Sequence, residues 1–333
     1  MASEIVLRGD VCLVIEKRPA KRECARVTRS RAGRFRFRRG QMVVVRSLGE
    51  ILATLNEGGK LEGLPFMPEM AKYCGRTLRV QRRATRVYLE YPDYVGRLKG
   101  TLLLEGARCD GAAHDGCQMR CLLLWKEAWL KPAGANGRGD GTDADGSGAR
   151  LAALPTRTGG VFCCQATELE RATYRLPSWD LRQHVGDVIS GEMTLRQCAG
   201  MLWGMTGNRL SRLWRRGPAA PVARKRIETP TCSLGLEPGE VVEVKSRDEI
   251  EATLDSQGKN RGLSLTPEMA RYCGGRYRVA GRVEKMIVEW TGQLRPLGNT
   301  VILEAVTCQG LFARHCPRSC YHLWREVWLQ RVS

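Results

Sequence analysis

The sequence predicts a mainly β protein with an α insert: two duplicated, small, SH3-like antiparallel barrels joined by a linker and a short helical segment. Three observations carry this. First, about ninety residues recur without a gap at an offset of 199 residues. Second, each copy is built from short β-branched runs punctuated by Gly, Pro and Ser, as in strands closed by tight turns. Third, the pattern breaks between the copies, first into a Gly/Ala/Asp-rich stretch and then into segments of helical apolar spacing.

The repeat is read directly from the residues, before any element is assigned. Ser47-Leu-Gly-Glu-Ile51 falls on Ser246-Arg-Asp-Glu-Ile250, Pro68-Glu-Met70 on Pro267-Glu-Met269, and Tyr73-Cys-Gly75 on Tyr272-Cys-Gly274. Leu104-Glu105 matches Leu303-Glu304, and Trp125, Glu127 and Trp129 match Trp324, Glu326 and Trp328. The copies span 40–132 and 238–332.

Within each copy the elements follow in order. Val43–Val45 and Val241–Val244 read as strands. Ser47/Glu50 and Ser246/Glu249 fit S-x-x-E, in which each side chain satisfies an orphan amide at a helix start, so a turn or two of helix should follow. Pro68 and Pro267 suit the first position of a second short helix. Thr77–Arg82, Arg86–Tyr91 and Leu102–Glu105 read as strands, as do their counterparts Arg276–Ala280, Met286–Trp290 and Val301–Glu304. The paired tryptophans read as core residues that close each barrel, with base stacking as the functional alternative.

The remaining sequence divides into four pieces. Residues 1–39 form a basic arm, 133–159 a flexible linker, 160–208 a helical insert and 209–237 a basic tether into the second copy. Lys and Arg number 54 against 35 acidic residues, a formal charge of +19. Twelve of those basic residues lie in the first forty positions. Such a balance raises nucleic acid as a partner, with affinity that falls steeply with salt. No uncharged apolar run reaches the roughly 18 residues that a membrane-crossing helix needs. With no convincing signal peptide, the expected location is cytoplasmic.

Fourteen cysteines in 333 residues then call for reduced thiols, and metal ligation fits better than disulfides. Eight of them obey the repeat: Cys74, Cys109, Cys117 and Cys121, and Cys273, Cys308, Cys316 and Cys320. The spacing in each copy is C-x34-C-x7-C-x3-C. Four thiolates from two loops can hold one zinc ion at about 2.3 Å or the irons of a [4Fe–4S] cluster, so two sites per chain are expected. Short C-x2-C knuckles are missing, and no acid lies within 116–124 or 314–324, which suits an anionic cluster. The choice between zinc and cluster stays open here, as does packing of the thiols as small hydrophobes.

Other candidates lie outside the repeat. Asp180, His184 and Asp187 share one face of a predicted helix and are the only catalytic candidates, as an acid/base or metal-binding group. His114 and His315 do not correspond under the repeat and read as loop residues, and His322 reads as a surface residue. The vicinal pair Cys163-Cys164 has no repeat partner and reads as packing. The phosphate-loop, dinucleotide, nucleophile-elbow and H-E-x-x-H motifs are absent.

The run Leu64-Pro-Phe-Met-Pro-Glu-Met70, Tyr73-Cys-Gly75, Cys109-Asp-Gly111, Gly116-Cys-Gln118, Cys121 and Trp125-Lys-Glu-Ala-Trp-Leu130 resembles an uncharacterised bacterial protein family. Cys164-Gln-Ala-Thr-Glu-Leu169, Trp179-Asp180 and Trp324-Arg-Glu-Val-Trp-Leu329 resemble the rest of it, over about residues 40–331. The resemblance implies the two-repeat plan and a bacterial source, and no reaction. The function expected is therefore a metal-binding accessory or interaction module with a protein partner in a biosynthetic pathway. An iron–sulfur enzyme or electron-transfer protein, and a nucleic-acid binder using its basic arms, are the alternatives.

Overall fold

The computed structural model describes residues 37–134, 146–175, 229–311, 313 and 316–332. They are mainly β, in several antiparallel sheets with few and short helices. No helix among them is long and apolar enough to cross a membrane. Most of the basic arm, most of the tether and the predicted helices with Asp180, His184 and Asp187 lie outside the described residues.

Each repeat begins with the predicted β-branched strand, Met42–Val45 or Val241–Val244. The serine–glutamate pair then starts a helix. Glu50 N–H donates to Ser47 Oγ at 3.3 Å while Ser47 N–H donates to Glu50 Oε2 at 3.0 Å. The same two bonds join Ser246 and Glu249 at 3.4 and 2.9 Å. The helices, Leu48–Leu52 and Arg247–Glu251, are only five residues long. Pro68 opens a 3₁₀ turn over Pro68–Tyr73, whereas its counterpart starts only at Met269, after Pro267.

The sheets repeat the same plan. Met42–Val45 pairs with Thr77–Arg83 on one side and with Leu130–Pro132 on the other. Thr77–Arg83 pairs with Thr101–Arg108, which pairs with Leu122–Lys126. In the second repeat Val241–Val244 pairs with Arg276–Arg282 and Leu329–Arg331, and Arg276–Arg282 leads through Thr300–Leu303 to Trp324–Arg325. Even the bulge recurs, between Val80 and Arg82 and between Val279 and Gly281. Each sheet therefore has five strands in one order, all antiparallel.

All four repeated tryptophans are fully buried. Trp129 stands edge-on to Phe66 at 5.5 Å, and its Nε1 donates to Thr54 Oγ1 at 3.0 Å; Trp328 Nε1 donates to Thr253 Oγ1 at 2.8 Å. A buried tryptophan removes some 150–250 Å² from water, on the order of 4–6 kcal/mol of gross hydrophobic gain each. Core packing is thus their role. A half-buried ion pair recurs too: Arg83–Glu127 at 2.7 Å and Arg282–Glu326 at 2.9 Å.

The segment between the repeats differs from the expectation of a flexible linker up to residue 159. Ser147–Ala152 is a helix whose Arg150 donates to Leu52 O at 3.2 Å, and Arg157–Thr158 forms a hairpin with Val161–Phe162. Beyond it, the predicted helical segment from Gln165 is helical only over Leu169–Ala172, and Tyr174–Arg175 then adds a strand to the hairpin of Arg86–Leu89 and Tyr94–Arg97. The fit is close: a Cβ on Gly63, whose φ is +80°, would stand 2.7 Å from Arg171 O. Gln165 anchors the segment. Its Oε1 accepts from Leu124 N–H at 2.8 Å, and its Nε2 donates to Leu124 O at 2.8 Å and Pro65 O at 3.1 Å. One amide side chain thus satisfies both backbone groups of a buried strand residue, where a neighbouring strand would otherwise be needed.

Candidate metal centre

The two repeats meet through equivalent parts. Each cysteine loop lies against the other repeat's hairpin: Gln118 Oε1 accepts from the Lys285 amide at 3.2 Å, while Arg318 reaches Tyr88 O at 3.5 Å. Arg120 donates to Ala280 O at 2.8 Å. Arg108 donates to Ser319 O at 3.1 Å and stacks over Tyr321. Like an isologous interface between two subunits, this arrangement brings equivalent positions face to face.

A cavity of about 40 Å³ lies at this junction. One water needs only about 10–15 Å³, so the space admits more than a single small ion. Cys109, Cys117 and Cys121 line it from the first repeat, Cys164 from the intervening segment, and Cys320 from the second repeat. Leu122, Leu123, Leu124, Met67 and Ile287 supply apolar wall, and Arg120 and Arg318 supply positive charge.

Local backbone geometry explains how the loop aims its sulfurs. Cys109 N–H donates to Cys121 O at 2.9 Å, closing the loop at its base, and Gly111 N–H donates to Cys109 Sγ at 3.3 Å. Gly111 has a φ of +72°, and a Cβ there would collide with Cys117 O. The second repeat copies both bonds, Cys308 N–H to Cys320 O at 2.8 Å and Gly310 N–H to Cys308 Sγ at 3.3 Å. Cys117 Sγ accepts from the Ile287 amide of the other repeat at 3.4 Å.

The thiols share one electrostatic environment. Burial pushes Cys121 well up, and the neighbouring sulfurs of Cys320, Cys164 and Cys109 and the Glu289 carboxylate add to this. Burial likewise raises Cys109, with Glu69, Cys164 and Cys117 contributing, and pushes Cys164 and Cys320 to about 11. Burial would lower the Arg318 guanidinium, but the Glu289 carboxylate and the sulfurs of Cys320 and Cys316 outweigh it and raise it. Arg318 grips Glu289 through both nitrogens, at 2.6 and 3.1 Å.

Of the eight repeated cysteines, the structure thus brings Cys109, Cys117, Cys121 and Cys320 to one cavity. Cys74 and Cys273 end their 3₁₀ turns and pack against the cores of their own repeats, away from the cavity lining. Cys316 is buried against the core of the first repeat, and Cys308 donates to Glu268 Oε2 at 3.5 Å. As placed, no three His, Cys, Asp or Glu side chains among the described residues are grouped to hold a metal ion.

Several site residues escape the repeat pattern. Cys164, read as packing, lines the cavity. His114, read as a loop residue, is buried and bonds Glu69 through Nδ1 at 2.5 Å and Cys163 O through Nε2 at 3.2 Å. Glu69 also accepts from Ala113 N–H at 3.2 Å and lies 3.9 Å from Cys109 Sγ. His322, read as a surface residue, is buried beside Tyr272. His315 lies outside the described residues. Comparison with protein families, curated proteins and solved structures finds nothing that matches the chain.

Proposed function

We propose that the chain is a metal-binding protein that holds its metal on thiolates. In this reading the two five-stranded units are SH3-like barrels, and their docking is what buries the ligands. The observation that carries it is that five cysteines, from three separate stretches of sequence, line one apolar cavity flanked by arginines. Soft thiolates are the ligand set of zinc and of iron–sulfur clusters, and a metal would add folding free energy that such small cores lack. The eleven described cysteines are all free thiols, which fits a reducing, cytoplasmic setting. An accessory role within a biosynthetic pathway completes this reading.

The test is elemental analysis with an ultraviolet–visible spectrum on anaerobically purified protein. Bound zinc or iron in the wild type, reduced in Cys109→Ser and unchanged in Cys232→Ser at an exposed position, is the expected result. Metal-free protein, or identical metal content in all three, overturns the reading.

A further inference from the structure

We infer that the two repeats share a single iron–sulfur centre, ligated by Cys109, Cys117, Cys121 and, from the segment between the repeats, Cys164. The inference rests on the metal-binding reading above and deepens it in three respects: the number of centres, the fourth ligand and the class of metal.

The fourth ligand follows from position. The repeat alone nominates Cys74, but Cys74 sits at the end of the Pro68–Tyr73 turn against the core and does not line the cavity. Cys164 does. Its placement is fixed from both sides: its own N–H donates to Thr167 Oγ1 at 2.9 Å, and the next residue is Gln165, clamped to Leu124 and Pro65. Leu124 lies three residues beyond Cys121 on the strand that Cys121 enters. The clamp therefore registers Cys164 against the C-x7-C-x3-C loop.

The number of centres follows from asymmetry. Cys164 is one residue serving two repeats, so a second complete set of this kind cannot be assembled. The second repeat instead sends Cys320 to the same cavity and buries Cys316 in the first repeat's core. At the position equivalent to Met119 it also carries Arg318, whose charge faces the cavity. The second repeat thus acts as the lid and counter-charge of a centre built on the first.

The class follows from shape and charge. The cysteines line a cavity larger than one ion, as suits a cubane, whose ligands attach at four separated corners. Four thiolates on an oxidised [4Fe–4S] core leave two negative charges; Arg120 and Arg318 line the cavity within an apolar wall, Arg318 sharing its charge with Glu289. Assembly takes two ferrous ions, two ferric ions and four sulfides from outside, which sum to that core with no further oxidant, and the four thiols each give up a proton as they ligate.

The experiment is anaerobic reconstitution of the full chain with equal ferrous and ferric iron and sulfide, followed by iron, sulfide and zinc analysis, visible absorption and electron paramagnetic resonance after reduction. Wild type, Cys74→Ser and Cys163→Ser should each hold about four irons and four sulfides per chain. Cys164→Ser should lose most of the cluster or shift its resonance, while its far-ultraviolet circular dichroism matches that of Cys163→Ser. A cluster intact in Cys164→Ser, or lost in Cys74→Ser or Cys320→Ser, overturns the assignment of the fourth ligand. About eight irons per chain overturns the single centre, and zinc without iron overturns the cluster. If Cys109→Ser also equals wild type, or the wild type takes up no metal, the metal-binding reading itself fails.

Discussion

Tyr91 and Trp290 are 199 residues apart in the chain, occupy the same position of the two repeats, and stand with ring centroids 6.4 Å apart. Cys121 and Cys320 are equivalent in the same sense, and after burial it is Cys320 that does most to raise the Cys121 thiol at the shared cavity. Duplication has thus produced an internal counterpart of a symmetric dimer. The two aromatic rings remain 63% and 57% exposed, so their contact lies at the rim of the junction.

That contact is measurable. A double-mutant cycle of Tyr91→Ala and Trp290→Ala, followed by urea unfolding, should give a coupling at the low end of about 0.5–1.5 kcal/mol, because both rings keep much of their hydration. Strict additivity of the two single variants would show that the rings do not interact in solution.

The buried Glu69–His114 pair should carry much more. In His114→Ala the Glu69 carboxylate loses its partner at 2.5 Å inside the protein, and removal of one member of a buried pair costs about 3–5 kcal/mol. Adding Glu69→Gln should restore part of the loss. Thermal and denaturant midpoints of the single and double variants decide it; a single variant as stable as wild type would mean that the carboxylate is solvated or neutral.

Gln165 links stability to the site. Gln165→Ala would orphan the N–H and C=O of Leu124, at about 1–3 kcal/mol for each group, and release the tie that holds Cys164. Reconstituted iron per chain should fall alongside the unfolding midpoint, even though no ligand has been changed. Full cluster content in Gln165→Ala would show that Cys164 is placed by other contacts.

The capping boxes give a pH signature. Ser47→Ala should cost about 1 kcal/mol, and Ser246→Ala should act in the same direction. The Glu50 carboxyl is held below its usual range chiefly by the Ser47 amide, with Arg46 adding to it, against an opposing effect of burial. A depressed carboxylate adds stability that is complete above the unfolded value near 4.3 and is lost as pH falls through the folded value. Glu50→Gln should therefore cost stability at neutral pH and little in acid, whereas Ser47→Ala, which keeps the amide, should show a nearly constant deficit. Unfolding midpoints of wild type and Glu50→Gln at neutral pH and near pH 3 test this, and a gap that does not change with pH would sever the cap from the charge of Glu50.

The parts legible in the sequence are those that physics stamps twice. The strands near Val43 and Val242, the serine–glutamate caps and the four tryptophans recur at one offset, and the structure places them as equivalent elements. The same filter hid what occurs once. Cys164 failed the repeat test because it serves both copies from outside either, and its neighbour Gln165 looks in sequence like any polar helix residue. His114 was set aside because Ala313 stands opposite it. Its partner Glu69 does recur, as Glu268, but Glu268 is satisfied by the amide of Gln309. Burial of a single histidine against a carboxylate leaves no periodic trace.

The Gln165 clamp also bears on the order in which the molecule can be made. The strand it completes ends at Lys126, so the first repeat leaves the ribosome roughly forty residues before the side chain that seals its wall, and Leu169 and Ala172 of its core come later still. Until then Leu124 presents two unsatisfied backbone groups, a temporary sheet edge of the kind that recruits stray strands. A nascent first repeat is in this sense an unfinished object, and a chain cut after residue 132 would keep that edge open permanently.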